Sequence, residues 1–335
     1  MAPRPRALRA GLVAAAMLAT LTATPAYQAA AVRALAAAQI LRIGYLPWVG
    51  AGPLFLARDK RFFASGQQVR LEEFKDVRLR FAALASGKLD GLVTTVDTMT
   101  VYWKRSFPFR AVLALDDSHG GDGLLAKSEI TNVEDLKGKR VAVNLGSVAE
   151  FFLNSVLRDH GLSEADVRLI DMRQDEAGEA MLTGQVDAAV TWEPWLSRAK
   201  RSPDKHIVLD TRQTPGLIAD VLLFGEDVIG ARSDAIKAVV TGWYQAIAYW
   251  KRHPDEADAA MARAIGDWLS NVTVFKDSLS TARYYDETMN KDYMAPGGRL
   301  YQTAQRAIDI GMSLGKITEP IRANDLIDSE FAMGP

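Results

Sequence analysis

The stretch Thr191-Trp192-Glu193-Pro194-Trp195 is the densest recognition chemistry in the chain. Two indoles flank a carboxylate, and Pro194 restricts the backbone so that Glu193 is held rather than mobile. Aromatic faces beside a carboxylate suit an amine or another cation. The alternative is structural, with Trp192 and Trp195 in a core and Glu193 capping a helix. A second polar cluster is Asp116-Asp117-Ser118-His119-Gly120-Gly121-Asp122-Gly123. It lacks the residue order and closing glutamate of a calcium loop, so no metal is expected there. One of its acids, with Asp117 the candidate, is expected to face a cleft while the glycines turn the chain. Gly50 and Gly52, and again Gly146 and Ser147, stand where loops lead into helices. Such junctions expose unpaired N–H groups and suit an anionic group or a polar oxygen, although tight turning alone also explains them. Asp97 is either a ligand contact or a helix N-cap.

The negative findings narrow the chemistry. Neither glycine loop has the G-x-x-x-x-G-K-S/T or G-x-G-x-x-G order, so no nucleotide cofactor is expected. There is no G-x-S-x-G and no H-E-x-x-H, and the chain has no cysteine. Thiolate catalysis, disulfides, cysteine–metal sites and a lipoprotein anchor are thereby excluded. His160, His206 and His253 read as surface or helix-end residues. The 40 basic and 41 acidic residues leave a formal charge of −1. No global field recruits nucleic acid, and no basic run interleaved with aromatics appears.

Alternating strand and helix patterns must position these candidates, which argues for an α/β fold with largely parallel sheets. Strands are expected over 41–46, 69–74 and 89–94, with helices over 54–63 and 78–85. The order recurs: strand 140–144, helix 148–160 stopped by Gly161, strand 167–172. Ser86-Gly87-Lys88-Leu89-Asp90-Gly91-Leu92-Val93-Thr94 echoes Thr183-Gly184-Gln185-Val186-Asp187-Ala188-Ala189-Val190-Thr191. Both read as helix, glycine stop and buried strand. Two lobes of similar plan follow: lobe 1 from 40–126 and 225–335, lobe 2 from 127–224. The apolar stretches near 124–134 and 221–224 are the expected crossings. Ile236, Val239, Val240, Trp243, Ile247 and Trp250 share one helical face, and Pro254 starts the next helix. Ligands bind beyond the carboxyl ends of such strands. Loops 47–53, 94–98, 145–149 and 191–195 hold that position and are expected to converge on one cleft.

Arg4, Arg6 and Arg9 precede an apolar run over 11–21 and the small residues around Ala26, the layout of a secretory signal over residues 1–26. The small residues at 29–31 and 36–38 allow cleavage as late as about residue 38. The run is too short for a stable membrane span. A soluble periplasmic monomer is expected.

Gly44-Tyr45-Leu46-Pro47-Trp48, Leu136-Lys137-Gly138-Lys139-Arg140-Val141, Gly184-Gln185-Val186-Asp187-Ala188-Ala189 and Trp192-Glu193-Pro194-Trp195 occur in an order that resembles the nitrate/sulfonate/taurine-type solute-binding proteins of ABC importers. The likeness runs from about Ile40 to the C-terminus. It implies the two-lobed type II periplasmic-binding-protein fold, closure on a small polar ligand, and membrane permease subunits as partners. It further implies that the loops at Trp48, Asp97, Gly146-Ser147 and Trp192-Glu193 line the cleft. The candidate loops, with the 116–123 cluster among them, carry Asp97, Asp117 and Glu193 but no arginine, which favours a zwitterion or amine over a simple anion. Alternatives are a thiamine-pyrimidine-type enzyme on the same fold, weakened by the absence of cysteine, or a periplasmic ligand sensor.

Overall fold

The computed structural model describes residues 40–333, so the expected leader lies outside them. Strand–helix units run through β1 (Leu41–Tyr45), α1 (Gly52–Asp59), β2 (Val69–Glu73), α2 (Val77–Ala85), β3 (Gly91–Thr95), α3 (Val96–Tyr102) and β4 (Phe109–Ser118). After β5 (Asp122–Lys127) the order repeats as β6 (Arg140–Val143), α4 (Val148–Asp159), β7 (Arg168–Asp171), α5 (Gln174–Leu182), β8 (Ala188–Trp192), α6 (Trp195–Ala199) and β9 (Lys205–Asp210). The chain returns through β10 (Ala219–Gly225). It then forms α7 (Glu226–Ala231), α8 (Ser233–Arg252), α9 (Pro254–Ile265), α10 (Val272–Leu279), β11 (Ala282–Tyr284), α11 (Glu287–Tyr293), α12 (Arg299–Ser313) and α13 (Ala323–Leu326).

Two sheets result, ordered β11-β4-β10-β3-β1-β2 and β7-β6-β8-β5-β9. Both are mixed rather than largely parallel. The three parallel strands β2-β1-β3 are joined by antiparallel β10, and β7-β6-β8 by antiparallel β5. These two strands also move the crossings. The sequence expectation leaves β5 with lobe 1 and β10 with lobe 2, yet each is paired on both edges inside the other sheet. Their runs Leu124-Leu125-Ala126 and Val221-Leu222-Leu223-Phe224 are fully buried, and an apolar strand satisfies its backbone better in mid-sheet than as a connector. The chain therefore passes between the sheets at 119–121 and 211–218.

The sequence echo has a structural cause. In the first sheet the backbone N–H and guanidinium of Arg42 donate to Asp90 at 2.8–3.0 Å. In the second, the backbone N–H and guanidinium of Arg140 donate to Asp187 at 3.0–3.2 Å. Each ion pair ties the start of a lobe's first parallel strand to the residues entering its third, at the end remote from the strand-end loops.

Separate apolar clusters fill the two faces of each sheet. The expected face of α8 is buried at Ile236, Val239, Val240, Trp243 and Ile247, with Trp250 half-buried. Trp243 is fully buried and its indole N–H donates to the Tyr285 carbonyl at 2.8 Å. Helix α12 touches both lobes: Leu300, Ala304 and Ile308 pack in the first, Ala307 and Ile310 in the second. Among the described residues, no helix is long and apolar enough to cross a membrane.

Candidate functional site

The four strand-end loops do meet. Trp48, Thr94, Thr95, Thr98, Ser147, Trp192 and Trp195 all line one cavity of about 290 Å³ between the sheets. That volume is at the small end of the ~300–1,000 Å³ range of ligand sites. Trp268 adds a fourth indole, its N–H donating to the Pro47 carbonyl at 3.3 Å. Gly178 permits the placement of Trp195, since a Cβ there would lie 2.3 Å from the Trp195 ring.

Arg80 is the most consequential lining residue, and no strand-end loop supplies it. Asp76 caps α2 by accepting from the N–H groups of Arg78 and Leu79 at 2.7 and 3.1 Å. Gly44 lets this helix lie close on β1: a Cβ there would sit 2.5 Å from Leu89 and 3.3 Å from Cγ of Arg80. Arg80 is 5% exposed, its buried Nε has no hydrogen-bond partner, and among the described residues its guanidinium forms no ion pair. Burial lowers its pKa to about 10, with Asp220 opposing, so it stays protonated at neutral pH. A buried guanidinium without a partner is costly, and an anion entering the cavity relieves that cost. The other cationic side chains at the cavity are already engaged. Lys75 pairs with Asp267 at 2.8 Å, Arg173 pairs with Asp175, and Arg198 lies 4.5 Å from the centre of the Trp195 ring. Gln174 begins α5 beside the cavity, and its buried Nε2 also lacks a partner. The hydroxyl of Thr191 donates to the Gln174 carbonyl at 2.7 Å and fixes its backbone.

Acids line the same cavity. Asp122 starts β5 and Asp220 lies near the start of β10, where the chain changes sheets. Asp220 stands opposite Thr95 on one side and Asp116 on the other. Burial pushes the Asp122 carboxyl up to about 6, aided by Glu193. Burial and the neighbouring acids push Asp116 and Asp220 up as well.

The sequence candidates divide. Trp48, Ser147, Trp192 and Trp195 face the cavity. The Trp48 indole also donates to Asp116 at 3.1 Å, and the Ser147 hydroxyl caps α4 while donating to the Asn144 carbonyl. Gly50 and Gly52 do not line it. A Cβ at Gly50 would lie 1.9 Å from an Asp116 oxygen, and Gly52 packs on Met261 and Phe275, so close packing explains both. Gly146 holds a positive φ of 75° and its N–H donates to Glu150 at 2.7 Å, leaving no free donor there. Asp117 turns away to a two-pronged ion pair with Arg283 at 2.7 and 2.9 Å. Glu193 accepts from the N–H and hydroxyl of Ser197 at 3.1 and 2.9 Å, the helix-capping alternative. Asp97 is buried in the first turn of α3, where the Thr98 hydroxyl donates to it at 3.1 Å and burial pushes its pKa up to about 7. The candidate loops carry no arginine, yet the cavity does: Arg80 and Arg198 reach it from helices, and Arg173 from the position just before α5.

Two mixed α/β sheets with their strand-end loops meeting over one cavity define the periplasmic-binding-protein fold. The alkanesulfonate-binding protein SsuA of Xanthomonas axonopodis pv. citri, solved with bound MOPS, shares it at a TM-score of 0.70, with 20% identity over 87% of this chain and 98% of that one. The chain belongs to the NMT1/THI5 like family, whose profile matches residues 49–257. It is 27% identical over 290 residues to a Bacillus subtilis (strain 168) protein named for aliphatic sulfonate binding, covering 83% of each chain. It is 26% identical over 225 residues to the taurine-binding periplasmic protein of Escherichia coli (strain K12), covering 65% of this chain and 69% of that one.

Proposed function

We propose that the protein is an extracytoplasmic solute-binding component of an ABC importer, capturing a small polar solute that carries an anionic group. The observation that carries this reading is the buried guanidinium of Arg80, unpaired and lining a cavity between two lobes. The names of the relatives support it, since aliphatic sulfonates and taurine are small solutes with one such group. Capture proceeds by closure, in which the solute stabilises the state where both lobes touch it. The crossings that would flex are pinned to each other: the Thr211 hydroxyl accepts from Gly120 N–H at 2.7 Å and lies 2.9 Å from the Ser118 hydroxyl. The same reading makes membrane permease subunits the partner and a periplasmic monomer the working form.

The test is a screen of sulfonates, nitrate, amino acids, amines and pyrimidines, read by tryptophan fluorescence and melting temperature. Four indoles line the cavity, so a bound solute is expected to change the emission and raise the melting temperature. A screen in which neither signal moves would defeat the reading. Recovery of the bound solute unchanged separates capture from turnover by an enzyme on this fold.

A further inference from the structure

The acids around the crossings fall into two groups. Asp117 is matched by Arg283 and Asp210 by Arg212, both outside the cavity lining. Asp122 and Asp220 line the cavity, and Asp116 is the partner of Asp220 on the neighbouring strand β4. Among the described residues none of these three has an ion-pair partner. Arg80 opposes the rise in pKa at Asp220 but stands beyond ion-pair distance. A hydrogen bond from Ser118 acts on Asp122, and among the described residues Asp220 has no hydrogen bond to its carboxylate. A separate observation points to a ligand here. Thr94, 3% exposed and lining the same cavity, has a buried hydroxyl oxygen with no partner. One buried oxygen of Asp116 is also unpartnered. Polar atoms are seldom left so in a folded interior unless something else satisfies them. What is missing is a donor of several hydrogen bonds that carries positive charge.

We propose that the floor of the cavity is a cation subsite, in which Asp122, Asp220 and Thr94 receive the protonated amine of the solute. The inference rests on the capture reading above and refines its substrate class: the solute is a short zwitterion whose anionic end meets Arg80 and whose ammonium meets the acids. An ammonium supplies three N–H donors to the three acceptors, and its charge offsets carboxylates that burial and mutual repulsion hold at raised pKa. The same acids repel a purely anionic solute, so the floor selects against nitrate and simple alkanesulfonates. This subsite keeps the expectation of an amine but moves it from Asp97, Asp117 and Glu193 to Thr94 of β3 and the acids near the starts of β5 and β10.

Matched pairs that differ only in the amine test it: 2-aminoethanesulfonate against ethanesulfonate, and 3-aminopropanoate against propanoate, titrated calorimetrically into the full chain. The amino member of at least one pair is expected to bind about tenfold tighter or more than its partner. Asp122→Asn with Asp220→Asn is expected to erase that preference while ethanesulfonate binds as well or better. These near-isosteric changes remove repulsion, so the melting curve of the double variant should match or exceed the parent's and certify its fold. Equal affinity within both pairs, or a preference that survives the double variant, overturns the subsite and leaves capture at Arg80 standing. Binding of no member of either pair also overturns it, and the broader solute screen then decides the parent reading separately.

Discussion

The two ends of the parallel strands differ in how far one lobe repeats the other. At the remote end the lobes match residue for residue, with Arg42–Asp90 in one and Arg140–Asp187 in the other. At the cavity end they do not. The first lobe contributes a buried unpaired guanidinium and Asp220, whereas the second contributes Asp122, two indoles and cations that are already engaged. The repeated scaffold sets where the loops meet, and the unlike residues set what they hold. Stability and recognition should therefore respond to different substitutions.

The largest effect is predicted at the cavity end. Arg80→Ala should weaken binding of the screened solute by about 100-fold, within the range for removing one partner of a buried, hydrogen-bonded charge pair. It should also raise the melting temperature of the solute-free protein, because an uncompensated charge leaves the interior. Loss of both affinity and stability would mean that Arg80 serves the scaffold instead.

The remote end should behave the opposite way. Asp187→Ala strands the Arg140 guanidinium and Lys127, which donate to Asp187 at 3.0 and 2.8 Å. Urea unfolding should show a loss of roughly 1–3 kcal/mol, with solute affinity unchanged. Asp90→Ala should cost a similar amount. Unequal costs would break the equivalence of the two lobes.

A third prediction separates burial from binding. Asp97 has its pKa raised from 3.8 to about 7, chiefly by burial. The folded state thus holds a proton that the unfolded chain releases. The stabilising contribution is full below the unfolded value and is lost as pH rises through about 7. Asp122, raised to about 6, acts in the same direction. The melting temperature should fall between pH 5 and pH 8, and Asp97→Asn should flatten that fall without changing solute affinity at neutral pH.

The smallest effect is expected at Ser147, which caps α4 and lines the cavity. Ser147→Ala should cost about 1 kcal/mol of stability, the usual penalty for losing an N-cap. A few-fold loss of affinity should accompany it.

The layout was legible because local rules carry it. Glycine helix stops, the Asp90/Asp187 echo and strand-end loops suffice to bring Trp48, Ser147, Trp192 and Trp195 together. Arg80 was not legible, because it lies inside a helix whose inward face depends on the close approach that Gly44 allows. Asp220 and Asp122 were missed for another reason: the strands that hold them read as connectors between lobes until pairing places those strands inside the sheets. Asp117 and Glu193 misled because a carboxylate beside a predicted cleft reads the same whether it faces a ligand, Arg283 or a helix end.

The most direct measurement follows the Arg80 side chain itself. Nitrogen–proton spectra of the arginine Nε–H groups, with Arg80 assigned by its disappearance in Arg80→Lys, can be recorded while 2-aminoethanesulfonate is added. A saturable shift of the Arg80 resonance that tracks the tryptophan signal is expected, since its Nε gains its first acceptor. An indole response with the Arg80 resonance unmoved would contradict it.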